Sequence, residues 1–259
     1  MAVFTPLTDS DIREFIANYD IGTLISAEGI TEGVENTNYS LETSEGKFIL
    51  TLFESRNKLE DLPYFSSLMQ WLHEKGVKCP LPLARKDGRV LSALKEKAAL
   101  IVTFLEGSGV HAICQEHMPQ LGRLAAEMHI TGMEFPHTRA NAMSLSGWEA
   151  LIDKINGRAD EIEPGLNALI NEEYNFLSEH WPSGLPSGPI HADLFPDNVF
   201  FTKERGGVAL SGVIDFYFAC HDAWAYDLAI CINAWCFDAR YHFVAERAQA
   251  LMESYSDAR

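Results

Sequence analysis

Within the 25 residues from 191 to 215 the chain carries His191, Asp193, Asp197, Asn198 and Asp215, groups that can hold a hard cation or accept a proton. Asp193 and Asn198 stand at the two ends of the loop His191-Ala-Asp-Leu-Phe-Pro-Asp-Asn198, which runs into a strand-like stretch over 198–202. Asp215 lies at the end of a second such stretch, 208–216, across a Gly206-Gly207 turn. Folding that hairpin brings Asn198 close to Asp215. An amide oxygen beside a carboxylate suits Mg²⁺, which keeps several waters and binds substrate phosphates. Asp193 is then left to accept the proton of a substrate hydroxyl. Phosphoryl transfer from ATP needs that arrangement, with metal between phosphate oxygens and a carboxylate orienting the attacking oxygen. A single Asp at a turn is usually a cap or an Asx-turn, and H-x-D alone carries little. H-x-D-x4-N followed by strand, turn and a strand ending in Ile-Asp is far more specific. A hydrolytic metalloenzyme could use His191, Asp193 and Asp215 as well, and would hold a transition metal tightly.

The elements that must position this cluster divide the chain in two. Thr8-Asp-Ser-Asp11 before Ile12, Phe15 and Ile16 reads as a capped helix. Short β-branched and aromatic stretches at 23–27, 37–41 and 47–53, separated by turn-forming residues, read as an antiparallel meander. A helix over 59–75 with Leu62, Phe65, Leu68, Met69 and Leu72 at helical spacing ends at Gly76. Two more strand-like runs follow, 89–91 and 98–105. Beyond Glu106-Gly107 the pattern turns helical over 118–130 and twice over 148–181, with a loop at 182–189, the hairpin at 198–216 and closing helices. The expected fold class is therefore α+β: a β-rich N-terminal lobe over 1–106 and a mostly helical lobe over 107–259. Clefts between such lobes are favoured ligand sites.

Composition narrows the function classes. The formal charge is −17, from 37 acidic against 20 basic residues, with no basic stripe to neutralise nucleic-acid phosphates or anionic lipid. The N-terminus has neither a basic n-region nor an apolar h-region, so no signal peptide is expected. The apolar run 216–237 contains Asp222 and Asp227, each costing about 2.5–3.5 kcal/mol at a bilayer centre. It reads as a strand end, a turn and a buried helix of a cytoplasmic protein, and the five unpaired-looking cysteines fit reduced thiols.

The run HADLFPDN with VIDF resembles the catalytic loop and metal-binding segment of the aminoglycoside phosphotransferase and choline kinase superfamily, relatives of protein kinases. The resemblance covers nearly the whole chain. LIVTFLEG at 100–107 looks like the strand and hinge between the lobes of a protein-kinase-like fold, and Tyr226-Asp227-Leu-Ala like its Asp-bearing helix. Within the superfamily, GVENTNYSLET (33–43), FILTLFE (48–54), GPIHADLFPDNVFF (188–201) and IDFYFACHDAWAYDLAICINAWCF (214–237) are similar to bacterial homoserine kinases of the phosphotransferase type. The acceptor so implied is L-homoserine, giving O-phosphohomoserine for threonine synthesis. A choline, aminoglycoside or sugar acceptor on the same fold is the alternative.

The resemblance implies Asp193 as catalytic base and Asn198 and Asp215 as Mg²⁺ ligands. His191 is the second candidate at the catalytic centre, with bracing of the loop the weightier reading, and Asp227 is expected to hold backbone groups of that loop. ATP is expected at the hinge residues Thr103, Phe104, Leu105 and Glu106 and beneath the loop that carries Asn36. The sequence departs from the superfamily at Thr51, where most members carry a phosphate-contacting Lys. Arg56 and Lys58 are candidate replacements, and Glu60 or Asp61 the candidate helix carboxylate. A catalytically silent binding module has Thr51 alone in its favour. For the acceptor's ammonium and carboxylate the candidates are Arg139, Asn141, Tyr217, Asp222 and Asn233. Family members usually continue with C-terminal helices beyond the equivalent of Arg259, so a C-terminal truncation is expected, and a monomer is the expected state.

Overall fold

The computed structural model describes residues 3–31, 35–54 and 58–259. Gly33 and Val34 of the expected nucleotide-covering loop, and Arg56, lie outside the described residues. The first helix, α1 (Asp9–Ile16), begins at the expected cap: the Thr8 hydroxyl accepts from the Asp11 N–H, and the Asp11 carboxylate accepts from the Thr8 N–H at 2.9 Å. Its Ile12, Phe15 and Ile16 pack on one face of a five-stranded antiparallel sheet, against Leu41, Leu50, Leu52 and Ile101. The strands are β1 (Leu24–Gly29), β2 (Thr37–Thr43), β3 (Gly46–Leu52), β4 (Ser92–Leu94) and β5 (Lys97–Thr103), in the order β1-β2-β3-β5-β4. Leu50 pairs with Tyr39 on one side and Ile101 on the other, so β3 is the central strand.

The other face of the sheet carries Leu100 and Val102 onto α2 (Leu62–Glu74), whose Phe65, Leu68, Met69 and Leu72 supply the facing surface. A single 3-10 turn over Leu59–Asp61 leads into α2. The strand expected at 89–91 lies at 92–94 instead, because Arg89 is drawn into the Asp87-Gly88 turn by hydrogen bonds from its backbone and guanidinium to Asp87.

The helical part contains α3 (His117–Gly132), α4 (Leu145–Ile155), α5 (Leu166–His180), α6 (Trp224–Trp235) and α7 (Ala245–Ala258). Two hairpin-like pairs are set among them. β7 (Val199–Glu204) pairs with β8 (Gly207–Val213) as expected, and β6 (Ser187–Ile190) pairs antiparallel with β9 (Cys220–Ala223). The end of the loop expected over 182–189 is therefore a strand. Pro189 disguises it, since proline is tolerated only where no ladder donor is needed, as in this two-stranded pair. Helices α3 and α7 lie close along each other at Gly122, where an added Cβ would stand 2.3 Å from the Leu251 carbonyl oxygen. All five cysteines are free, and no helix among the described residues is long and apolar enough to cross a membrane.

Candidate active site

The loop after β6 is built on α6. Asp227, fully buried, accepts the N–H of His191 on Oδ2 at 2.8 Å and the N–H of Ala192 on Oδ1 at 2.7 Å. Eight residues further along the helix, Trp235 donates its indole N–H to the Leu194 carbonyl at 2.7 Å. Held at these points, the backbone passes through the left-handed region at Ala192 (φ 62°), a conformation that costs a non-glycine residue about 1–2 kcal/mol. That turn projects Asp193. Its carbonyl then accepts from Phe195 N–H at 2.8 Å, and the Asn198 N–H bonds the Phe195 carbonyl at 3.0 Å.

Asn198 closes the loop. Its side-chain NH₂ donates to the Asp193 carbonyl at 2.9 Å and to the Asp193 carboxylate at 2.7 Å. The amide oxygen is left without a donor among the described residues. The Asn198 carbonyl accepts the Ile214 N–H at 2.9 Å, which seats Asp215 beside it, again in a left-handed turn (φ 65°). His191 ties the two segments from beneath: its Nε2–H donates to the Ile214 carbonyl at 3.0 Å, and its ring meets Phe216 edge-on at 4.7 Å. The ring has no exposed surface, and burial depresses its pKa against the pull of Asp227 and the Ile214 carbonyl. His191 braces the loop through Nε2, while its Nδ1 is buried without a partner among the described residues.

The electrostatics of the cleft are those of crowded carboxylates. Burial pushes Asp193 up to about 6 against the stabilising Asn198 hydrogen bond, and Asp197, Glu35 and Asp227 add to the rise. Asp215 is open to solvent, yet the protein packed around it, followed by repulsion from Asp193 and Glu35, raises its pKa to about 7. Two carboxylates that resist ionisation side by side, next to an open amide oxygen, form a donor set that a small divalent cation fits. Glu35, a member of the expected covering loop that was not singled out within it, repels both carboxylates.

Other expected residues fall as follows. At the hinge, the N–H groups of Thr103 and Phe104 already bond the Leu81 and Lys47 carbonyls, at 3.0 and 3.3 Å. The N–H groups of Leu105 and Glu106 have no partner among the described residues and are open as donors. Asn36 is buried and its side-chain oxygen accepts the Glu54 N–H at 3.3 Å. The Thr51 hydroxyl donates to Asn38 at 2.7 Å. Lys58 and Glu60 are exposed. Asp61 pairs with Arg139 at 2.9 Å, and Arg139 also donates to the Ala219 carbonyl at 3.2 Å and stacks its guanidinium over Phe65. Asn141 donates to Asp222 at 2.8 Å. Tyr217 packs edge-on against Phe53 and Phe65, at 5.0 and 5.8 Å, and Asn233 is exposed on α6. Arg139 is thus engaged with Asp61 and the backbone, and Asn141 with Asp222.

Residues 26–259 match the model of the phosphotransferase enzyme family, to which the chain belongs. Within it the chain is 49% identical over its whole length to the homoserine kinase of Rhizobium rhizogenes, of which it covers 79%, and 46% identical to that of Mesorhizobium japonicum, covering 80%. The fold is that of a spectinomycin phosphotransferase solved with ADP and spectinomycin (TM-score 0.75, 14% identity, 97% of this chain and 80% of that one). A microcompartment-associated aminopropanol kinase shares it too (TM-score 0.67, 18% identity, 97% of this chain and 81% of that one). The protein-kinase-like α+β fold expected from the sequence is the fold observed.

Proposed function

We propose that the chain transfers the γ-phosphoryl group of ATP to the hydroxyl of L-homoserine, giving O-phospho-L-homoserine. The observation that carries this reading is the match to homoserine kinases along the entire chain, together with Asp193, Asn198 and Asp215 gathered at one cleft. Residues 1–106 form the nucleotide-binding lobe and 107–259 the catalytic and acceptor-binding lobe. Adenine is read by the hinge backbone over Thr103–Glu106, a free N–H there donating to a ring nitrogen and a carbonyl accepting from the exocyclic amine. Asn198, through its open amide oxygen, and Asp215 would hold Mg²⁺, which would supply positive charge to offset that of the phosphate oxygens.

Asp193 orients the acceptor hydroxyl and takes its proton. A carboxyl raised to about 6 is better matched to that task at neutral pH than an ordinary one. Asn198 holds the carboxylate in one rotamer, and Asp227 and Trp235 fix the backbone beneath it. Burial of His191 keeps its ring a neutral donor to Ile214, so loop and metal turn stay in register.

A coupled ADP-release assay with homoserine, choline, methylthioribose and aminoglycosides tests the acceptor. Homoserine is expected to be turned over with the highest kcat/KM; preference for another alcohol would overturn the reading. Cytoplasmic residence and a monomeric state go with this proposal.

A further inference from the structure

Asp227 is not the end of the network that holds the catalytic loop. A third donor reaches it: His129 Nε2 lies 3.1 Å from Asp227 Oδ2, and both side chains have no exposed surface. The other ring nitrogen, Nδ1, lies 2.9 Å from the Tyr255 hydroxyl on α7. Tyr255 is itself 4% exposed. Trp224, the first residue of α6, stacks on the His129 ring with centroids 5.5 Å apart and planes 5° from parallel, which fixes the ring's orientation. Three helices and the loop therefore meet in one buried chain of hydrogen bonds, Tyr255 to His129 to Asp227 to the N–H groups of His191 and Ala192.

The direction of that chain follows from its donors. A phenol O–H given to Nδ1 leaves the ring proton on Nε2, where it is donated to Asp227. Burial works against the Asp227 carboxylate, but His129 and the loop N–H groups together hold it ionised, below its ordinary range. Asp227 itself keeps the proton on Nε2, but without the Tyr255 hydroxyl Nδ1 becomes a buried acceptor with no partner and the ring loses one of the two hydrogen bonds that fix it. The Nε2–H is then less firmly set on the Asp227 oxygen, and the carboxylate less firmly set against the Ala192 N–H. Asp227 is the side chain that bonds the N–H of Ala192 in its left-handed turn, and Asp193 is the next residue.

We propose that Tyr255 and His129 are positioning residues of the phosphotransfer site, setting through Asp227 the backbone conformation that aims Asp193. The proposal rests on the functional reading above for its kinetic part only.

The test is Tyr255→Phe, which removes one oxygen and keeps the packed ring, compared with His129→Gln. A Gln amide nitrogen stands near the position of Nε2 and donates to Asp227 without help from Tyr255. Tyr255→Phe is expected to lower kcat about tenfold with both KM values within about twofold, as for a catalytic group slightly misaimed. Hydrogen exchange across 190–198 should quicken while exchange in α3 and α7 stays unchanged. In the His129→Gln background, adding Tyr255→Phe should cost almost nothing, since the two changes act on one interaction. Wild-type kcat and wild-type loop exchange in Tyr255→Phe would overturn the proposal, as would fully additive losses in the double variant. Should the wild-type chain not phosphorylate homoserine, the functional reading fails by that result, and loop exchange still decides this one.

Discussion

The Asn198 amide nitrogen and the Asp193 carboxylate, 2.7 Å apart, hold each other so that each presents one remaining oxygen to the cleft. That pairing makes the two residues separable by mutation. Asp193→Asn keeps the shape of the loop and removes the proton acceptor. It should bind Mg²⁺·ATP within about threefold of wild type by calorimetry while turnover falls by about 10²–10⁴. Unchanged turnover would remove Asp193 from the reaction.

Asp215 carries charge at a site where burial and Asp193 oppose it. Asp215→Asn should therefore melt at a higher temperature than wild type in EDTA. The same variant should lose most of the stabilisation that Mg²⁺ with ATP confers, because binding to the folded state alone raises stability by mass action. Thermal scans with and without Mg²⁺·ATP read both effects, and the two shifts are expected in opposite directions.

Asp227 gives a pH signature. Its folded pKa lies below the unfolded one, so its contribution is complete above about pH 4 and is lost as pH falls through the depressed folded value. At pH 7 Asp227→Asn should cost about 3–5 kcal/mol, the range for breaking a buried pair by removing one partner. The difference between wild type and variant should shrink as urea unfolding is repeated below pH 4. A gap that stayed constant with pH would contradict the ionised, hydrogen-bonded carboxylate.

Gly122 tests the contact between α3 and α7. In an isolated helix, Gly→Ala gains about 0.8–1 kcal/mol. Here the new Cβ meets the Leu251 carbonyl at 2.3 Å, a backbone atom that cannot swing aside. Overpacking typically costs about 1–3 kcal/mol. Gly122→Ala should therefore lower the melting temperature despite its better helix propensity; a higher one would show that α7 can shift freely.

Much of this site was legible because its signals are local. Asp193, Asn198 and Asp215 belong to one loop and one hairpin, and a hairpin's register follows from alternation and a glycine turn. The chemistry of those residue types then narrows the reaction. The β6–β9 pair escaped notice because Ser187–Ile190 is short and contains proline, and its partner strand is far along the chain. His129 and Tyr255 gave no sign: a histidine at the end of an apolar helix face and a tyrosine in a late helix look like ordinary core residues. Only packing brings them to Asp227. The acceptor candidates Arg139, Asn141 and Asp222 were chosen for charge and polarity, and the fold pairs Arg139 with Asp61 and Asn141 with Asp222, pairings that spacing cannot reveal.

The loop bearing Asp193 is secured by side chains that arrive at different times. His129 is synthesised before it, Asp227 soon after it, and Tyr255 last. During translation the loop leaves the ribosome exit tunnel ahead of the helix whose hydroxyl completes its support. The nucleotide-facing sheet can form first from contiguous residues, while the aim of the catalytic carboxylate is settled only when α7 docks beside Gly122. In a nascent chain, the sheet and hinge would thus be complete before the carboxylate is aimed.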